Sequence, residues 1–228
     1  MNRAIVLFSG GKDSVYATHL SLLKGFEIVS LVTFIPKGKS PWIVHRPLAE
    51  YSWLSAESIG INHISIPIIS EDRDGEEKEI RRSLEELIER YDINYIVIGV
   101  LGSYTQRMFF QEIAEDIGVD LYTPLWGRDR EQYLFELIDN GIEFMITSIT
   151  TWGLPPSHFL GKIVSRELAM EILRRAKIYG FDPCFEGGEA ETFVVNAPLY
   201  RFKLCINAKP IIVSDTEGYI EPINVYKC

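Results

Sequence analysis

The stretch Ala4-Ile-Val-Leu-Phe-Ser-Gly-Gly-Lys-Asp-Ser14 decides how the chain begins to fold, because an apolar run meets a loop of glycine and polar residues. Residues 4–8 are all apolar, which is typical of a parallel strand buried on both faces. From Ser14 to Leu23 apolar residues recur at roughly helical spacing, and Gly25 supplies a stop. The stretch therefore predicts a buried strand, a tight turn and a helix.

Four further strands follow in the same style, with helical segments between them. The strands are predicted at residues 28–34, 63–66, 95–100 and 119–122, and the helices at residues 47–58, 76–90 and 104–116. Strands that alternate with helices imply right-handed crossovers and a parallel sheet covered on both faces. The predicted fold class is therefore α/β, with a doubly wound five-stranded parallel sheet whose ligands bind beyond the carboxyl ends of the strands.

The pattern changes after Pro124, and we place a domain boundary there. Helices predicted at residues 130–140 and 166–179 flank a strand at 144–148, and residues 200–225 have the pattern of short antiparallel strands. Turns are predicted at residues 207–210 and 217–218. The chain is thus expected to divide into a substantial domain, residues 1–124, and a smaller α+β domain, residues 125–228.

The loop between the first strand and the first helix has the features of a polyphosphate site. Its residues are Ser9, Gly10, Gly11, Lys12, Asp13 and Ser14. Glycines let the backbone approach a ligand, the start of a helix presents unpaired N–H groups, and Lys12 adds a positive charge. Asp13 is the candidate to hold a magnesium ion carried by a nucleotide, or to orient the loop. The spacing matches neither a Walker loop nor a dinucleotide fingerprint, and the alternative is an ordinary glycine-rich turn.

Three residues at the same sheet edge complete the predicted nucleotide site. Thr33 and Phe34 end the second strand, and Gly99 lies at the end of the fourth, where a ligand can approach the backbone. Residues 34–46 hold two prolines, a glycine, a tryptophan and a histidine with little periodicity. They are predicted to form a mobile connection over this edge that could act as a lid.

A second group of candidate residues lies in residues 186–192, where three carboxylates and two glycines make a regular helix improbable. Phe185 and Phe193 flank this segment and indicate that it is anchored in a core, with its carboxylates directed to one place. Such carboxylates could bind a cation or accept a proton. The sequence does not choose among these, and the alternative is a solvated acidic turn.

Composition and charge argue against several classes of protein. The net charge is −9 with acidic residues along the whole length, which leaves no broad basic face and argues against nucleic acid as a partner. No apolar run approaches the ~20 residues of a spanning helix, and no leader precedes the first strand, so a cytoplasmic protein is expected. The cysteines at 184, 205 and 228 form no C-x-x-C pair, and reduced structural thiols are expected.

Several motifs make the chain similar to a known family. The loop of residues 9–14 resembles that of the pyrophosphate-loop ATPases. Residues 99–107 (Gly-Val-Leu-Gly-Ser-Tyr-Thr-Gln-Arg), 124–126 (Pro-Leu-Trp) and 186–193 (Glu-Gly-Gly-Glu-Ala-Glu-Thr-Phe) resemble, in order and spacing, the motifs of the diphthine–ammonia ligase family. The sequence departs from that family at Phe185, where glycine is usual, and at Ala190, where an aromatic residue is usual. These departures leave room for a related substrate.

The resemblance implies an adenine nucleotide alpha hydrolase-like sheet and an ATP-dependent reaction that forms a carbon–nitrogen bond. A substrate carboxylate would attack the α phosphate, pyrophosphate would leave, and ammonia would then displace AMP. The family's acceptor is diphthine on translation elongation factor two. The resemblance implies that the carboxylates of residues 186–191 bind ammonium, take a proton from attacking ammonia or recognise the trimethylammonium group that this substrate carries. ATP, magnesium, free ammonia and this factor are therefore the implied cofactors and partners, and a homo-oligomer is left open.

Site residues follow from the motifs. The expected catalytic residues are Lys12, Asp13, Glu186, Glu189 and Glu191. The expected substrate contacts are Ser103, Gln106, Arg107, Gly187, Gly188 and Thr192. The first three of these contacts open a helix that faces the crevice, with an ordinary helix cap as their alternative. Two other functions stay open: a transfer-RNA-modifying enzyme with the same loop, and a nucleotide-binding protein without catalysis.

Overall fold

The computed structural model describes residues 2–37, 48–70 and 72–228, and its first half forms a parallel sheet. The strands of this sheet are β1 (Arg3–Leu7), β2 (Glu27–Pro36), β3 (His63–Ile68), β4 (Tyr95–Val97) and β5 (Asp120–Tyr122). All neighbouring pairs are parallel, in the order β3-β2-β1-β4-β5. Because β1 is central, the loop that follows it opens at the carboxyl edge of the sheet, where α/β folds bind ligands.

Helices cover both faces of this sheet. They are α1 (Lys12–Leu23), α2 (Ser52–Ile59), α3 (Arg73–Tyr91) and α4 (Tyr104–Ile117), with a short 3-10 turn at Ala49–Tyr51 before α2. Strand side chains alternate between the two faces. Val6 joins a buried cluster that contains Val15 of α1, whereas Ile5 joins a second cluster that contains Leu84 of α3 and Ile113 of α4. The predicted doubly wound α/β fold is confirmed.

The second half of the chain adds a small antiparallel sheet and three helices. Its elements are α5 (Arg130–Asp139), β6 (Glu143–Thr150), α6 (Pro156–Phe159), α7 (Arg166–Tyr179), β7 (Ala190–Asn196), β8 (Leu204–Ile212) and β9 (Glu217–Lys227). The strand order is β7-β6-β9-β8 with antiparallel pairing. Phe144 of β6 belongs to the same buried cluster as Val6 of β1, so the two sheets share a hydrophobic core. The position of a domain boundary near residue 124 stays a prediction.

The two turns predicted near the end of the chain are wrong. Residues 207–210 lie inside β8, and residues 217–218 begin β9. The chain reverses between Ile212 and Gly218, which pair across the hairpin. β8 is an outer strand, and an outer strand tolerates the missing N–H of Pro210. Its register against β9 shifts between Asn207 and Ala208, where β9 has an extra residue, Ile223. The turn-forming residue types therefore mark an edge strand and a shift in its register.

The expectation of reduced thiols is wrong for two of the three cysteines. Cys205 in β8 and Cys228 after β9 form a disulfide, with their Cα atoms 5.6 Å apart. Antiparallel pairing of Leu204 with Lys227 brings these two positions together. Cys184 is free and buried. The spacing of cysteines in the sequence contains no information about this contact between strands.

The predicted lid overlaps the end of β2. Residues 34–36 belong to that strand, whereas residues 38–46 lie outside the described part of the chain, so a lid there stays a prediction. β4 is shorter than predicted, because the chain leaves the ladder after Val97 and before Gly99. In the ranges that the structure describes, no helix is both long and apolar enough to cross a membrane.

Candidate functional site

The loop of residues 9–14 is closed by hydrogen bonds between its two serines and its own backbone. The N–H of Ser9 donates to Ser14 Oγ (3.2 Å), and the N–H of Gly11 donates to Ser9 Oγ (3.2 Å). Ser14 Oγ donates to the carbonyl oxygen of Gly11 (3.1 Å). Gly10 has a φ of +77°, which glycine adopts without a steric penalty. The loop is therefore held as a tight turn at the start of α1.

Two glycines of the predicted nucleotide site are required by packing. A Cβ at Gly10 would lie 2.8 Å from Cε2 of Phe193. A Cβ at Gly99 would lie 2.6 Å from the carbonyl carbon and oxygen of Asp13, because the segment after β4 touches the first turn of α1. Any larger side chain at either position must displace the loop or its neighbour.

Lys12 and Asp13, within the loop, form an ion pair. Lys12 Nζ donates to Asp13 Oδ2 (2.8 Å) and to the carbonyl oxygen of Cys184 (2.7 Å), and only 3% of the lysine side chain is exposed. The other carboxylate oxygen, Asp13 Oδ1, accepts a hydrogen bond from the hydroxyl of Tyr133 in α5 (2.8 Å). The ring centroid of Phe185 lies 5.4 Å from Lys12 Nζ. The second half of the chain thus supplies three of the contacts that hold this pair.

Electrostatics keep Lys12 charged and Tyr133 neutral. Burial has the largest single effect and lowers the pKa of Lys12, but the charge and hydrogen bond of Asp13 and the charge of Glu186 act together with the rest of the site to raise it, so the net pKa lies above the ordinary 10.5. Burial raises the pKa of Tyr133 well above 10, and the negative charge of Asp13 raises it further. At neutral pH the loop therefore presents a fixed cation supported by a neutral phenol, which suits the binding of a polyphosphate.

The acidic segment reaches the loop through β7. The N–H of Lys12 donates to Thr192 Oγ1 (3.2 Å), and the N–H of Val194 donates to the carbonyl oxygen of Gly10 (2.9 Å). β7 therefore runs against residues 10–12. This contact brings the two motifs that the sequence singled out, residues 9–14 and 186–192, into one site.

Glu186 binds the backbone that precedes α4. Its Oε2 accepts hydrogen bonds from the N–H groups of Leu101 (3.2 Å), Gly102 (2.7 Å) and Ser103 (2.9 Å). Burial raises the pKa of Glu186 and the charge of Asp13 raises it further, while the bonds from Gly102 and Ser103 lower it; the net shift is upward. The carboxylate therefore joins residues 101–103 to the acidic segment.

Glu189 and Glu191 occupy different environments. The two carboxylate oxygens of Glu189 accept hydrogen bonds from the N–H groups of Asp182 (2.9 Å) and Gly187 (2.9 Å), which closes a turn over residues 182–189. Glu191 lies in β7, beside Thr192, and lines the cavity at the loop. The three carboxylates that the sequence directs to one place thus lie in three different settings.

A cavity of about 200 Å³ lies between the loop, the ends of β2 and β4, and the acidic segment. The predicted site residues that line it are Ser9, Gly11, Lys12, Asp13, Ser14, Thr33, Phe34, Gly99, Gln106, Glu186, Gly188, Glu191 and Thr192. The predicted residues that do not line it in the described part of the chain are Gly10, Ser103, Arg107, Gly187 and Glu189. The motifs therefore converge on one cavity, while some of their residues support it from outside.

The predicted residues outside the cavity have structural contacts of their own. Ser103 is the N-cap of α4 and accepts a hydrogen bond from the N–H of Gln106 (3.4 Å). The guanidinium of Arg107 lies 4.3 Å from the ring centroid of Trp126, which is further packed edge-on by Tyr104. The alternative of an ordinary helix cap thus holds for Ser103, whose hydroxyl caps the helix that carries Gln106.

Sequence reasoning missed the apolar wall of the cavity. The wall consists of Leu7, Phe8, Val32, Ala49, Ile98, Val100, Phe110, Phe185 and Ala190. Phe185 and Ala190 are the two departures from the family pattern. Their place in that pattern, beside the acidic residues, is a signal that could have identified them as wall residues. Tyr133 was also missed, because nothing in its local sequence distinguishes it from a core tyrosine.

Comparisons with known proteins find matches over both halves of the chain. The diphthamide synthase N-terminal domain matches residues 2–121, and the diphthamide synthase C-terminal domain matches residues 129–227. Diphthine–ammonia ligase of Homo sapiens is 25% identical, covering 95% of this chain and 87% of its own length. The same ligase of Danio rerio is 27% identical, covering 95% of this chain and 91% of its own length.

A solved structure described as a predicted subunit of tRNA methyltransferase from Methanocaldococcus jannaschii is also similar, with a TM-score of 0.45 and 21% identity. The match covers 87% of this chain and 98% of that one. The family models, by contrast, match both halves of the chain, from residue 2 to residue 227. The chain therefore belongs to the diphthamide synthase family.

Proposed function

We propose that this protein is an ATP-dependent amide ligase that adenylates the carboxylate of diphthine on translation elongation factor two and amidates it with ammonia. AMP and pyrophosphate are released. The observation that carries the proposal is the cavity shared by the phosphate-type loop and the acidic segment, in a chain of the diphthamide synthase family. The names of the relatives, diphthine–ammonia ligase, support the same reaction.

The loop side of the cavity is assigned to the triphosphate of ATP. Lys12 has two of its three N–H donors on Asp13 and Cys184, which leaves one donor for a phosphate oxygen. The backbone at the start of α1 adds further donors and a favourable dipole. When the acceptor carboxylate attacks the α phosphate, negative charge accumulates on the departing pyrophosphate. A fixed cation at this position stabilises that charge more in the transition state than in the bound substrate.

Asp13 fits the role of a magnesium ligand. Its side chain is 24% exposed and lines the cavity, and each of its oxygens accepts one hydrogen bond, which leaves further lone pairs on both. A magnesium ion bound with ATP would neutralise phosphate charge. Within the proposal, Asp13 would hold that ion while Lys12 and the serines orient the phosphates.

The segment of residues 186–192 is assigned to the acceptor and to ammonia. Within the proposal, Glu191 is the carboxylate that accepts a proton as ammonia attacks the acyl-adenylate, because it lines the cavity next to Thr192. Glu186 and Glu189 act by holding the backbone of residues 101–103 and of residues 182–187 in place. Gln106 and Gly188 border the same space and are assigned to substrate contact.

The test supplies ATP, magnesium, ammonium and an elongation factor bearing diphthine, and measures AMP, pyrophosphate and the mass of the factor. We expect equal amounts of AMP and pyrophosphate, and replacement of one hydroxyl by one amino group on the factor. Lys12→Met should abolish turnover, whereas Lys162→Met, at an exposed lysine outside the cavity, should not. Formation of ADP, or ATP binding without turnover of this acceptor, would overturn the proposal.

A further inference from the structure

Tyr133 stands out among the buried side chains because its only polar atom contacts the loop. The residue is fully buried in the first turn and a half of α5, and its hydroxyl donates to Asp13 Oδ1 at 2.8 Å. Buried tyrosines normally satisfy their hydroxyl with some acceptor of the core. Here the acceptor is the carboxylate that pairs with the loop cation, 120 positions earlier in the chain.

The ion pair of Lys12 and Asp13 is held from both ends by α5. At one end Tyr133 holds Asp13 Oδ1, and at the other Lys12 Nζ donates to the carbonyl oxygen of Cys184. Cys184 is itself fixed to α5, because its Sγ donates to the carbonyl oxygen of Arg130 (3.3 Å). Its N–H donates to Asp182, whose carboxylate is paired with the guanidinium of Arg130. α5 thus determines where the carboxylate and the ammonium lie.

Loss of the Tyr133 hydroxyl would release one of these ends. Asp13 Oδ1 would lose its donor, and the carboxylate could then rotate or take a second hydrogen bond from Lys12. Either movement changes the direction in which the remaining N–H of Lys12 points. A displacement of this kind matters more for the transition state than for ground-state binding, because the charge on pyrophosphate develops only as the bond breaks.

We infer that Tyr133 is a positioning residue for the cleavage of ATP between its α and β phosphates, acting through Asp13 on Lys12. The inference rests on the function proposed above. It predicts that Tyr133→Phe lowers kcat for AMP formation by about 10- to 100-fold, the usual effect of one hydrogen bond to a charged group. KM for ATP should stay within about threefold of the wild-type value, since the phosphate donors of the loop remain.

Tyr16 offers a matched control. Its ring lies 6.1 Å from that of Tyr133, it is also buried, and its hydroxyl also donates to a carboxylate, Glu136 (2.6 Å). Tyr16→Phe therefore removes the same atom from the same part of the core without touching Asp13. Urea unfolding should show a similar loss of stability in both variants. Only Tyr133→Phe should reduce kcat, and only it should weaken the binding of magnesium pyrophosphate, measured by calorimetry.

The outcomes separate this inference from the function on which it rests. If the wild-type protein forms no AMP and binds no magnesium pyrophosphate, the proposed function fails. If the wild type is active and Tyr133→Phe keeps its kcat, the positioning role alone is overturned. Equal losses of kcat in the two variants would indicate general destabilisation and would overturn it as well. A change confined to KM would assign Tyr133 to ground-state binding and would contradict the inference.

Discussion

Phe185 allows a sharp test of the cavity wall, because its backbone has a conformation that favours glycine. Its φ is +68°, and the side chain is only 6% exposed, with its ring beside Lys12 Nζ. A left-handed backbone costs a residue with a Cβ about 1–2 kcal/mol. Replacement by alanine keeps this cost, whereas replacement by glycine removes it.

The expected losses of unfolding free energy depend on the burial of the Phe185 ring and on its backbone conformation. Truncation of a buried phenylalanine costs about 3–5 kcal/mol, and we expect the lower end here because the Phe185 ring borders a cavity and is not enclosed on all sides. Phe185→Ala should therefore lose about 3 kcal/mol of unfolding free energy. Phe185→Gly loses the same ring but regains about 1 kcal/mol from the backbone, so it should be the more stable of the two variants.

The assay is urea unfolding of both variants, with Phe181 as the control position. Phe181 is similarly buried, at 9% exposure, lies four residues earlier and does not have a positive φ. At Phe181 the glycine variant should be less stable than the alanine variant by about 0.4–1 kcal/mol, because glycine raises the conformational entropy of the unfolded chain. A Phe185→Ala protein at least as stable as Phe185→Gly would refute the reasoning, and so would the same order of stability at both positions.

Two further predictions concern the residues around the loop. The pKa of Glu186 is raised in the folded state, so the group contributes to the stability of the wild type below pH 4.5. This contribution is lost as the pH rises through the raised pKa. Glu186→Gln keeps an oxygen acceptor for residues 101–103 but does not ionise. In urea unfolding, the stability of this variant relative to wild type should therefore increase from pH 4 to pH 7. A decrease would contradict the expected direction of the pH dependence. Gly99→Ala places a Cβ 2.6 Å from the Asp13 carbonyl and should cost about 2–3 kcal/mol and weaken calorimetric ATP binding. Gly118→Ala, where the space is open but φ is +81°, should cost about 1 kcal/mol and leave ATP binding unchanged; equal effects at the two glycines would reject the packing argument.

Much of the fold could be predicted because its signals are local. α7 matches the predicted residues 166–179 at both ends. Ser165 caps its start by accepting a hydrogen bond from the N–H of Leu168 (3.2 Å), and Gly180 ends it with a φ of +75°. Serine before a helix and glycine after it are residue types that predict a helix boundary from the sequence alone. The apolar run of residues 4–8, which predicts β1 (Arg3–Leu7), is an equally local signal, because burial on both faces of a sheet requires apolar residues.

The parts that could not be predicted depend on contacts between distant segments. Proline is a residue type typical of turns, but the position of Pro210 in an edge strand can be known only once the strands are paired. The same holds for Cys205 and Cys228, which the register of β8 against β9 brings together. For Tyr133, helical periodicity predicts an inward side chain, but periodicity does not reveal that the nearest acceptor is Asp13.

The acidic segment shows why residue type and spacing alone cannot assign catalytic roles. Three carboxylates within six residues suggest one shared centre, but backbone N–H groups compete for them as strongly as a ligand would. Glu189 satisfies both of its oxygens within residues 182–187, and Glu186 holds residues 101–103. Glu191 lies on β7, beyond the turn that holds the other two, and borders the cavity. Glu191→Gln leaves the hydrogen bonds of Glu186 and Glu189 in place and should lower amidation of the factor. Urea unfolding should show a smaller loss of stability for it than for Glu186→Ala or Glu189→Ala, which remove those bonds.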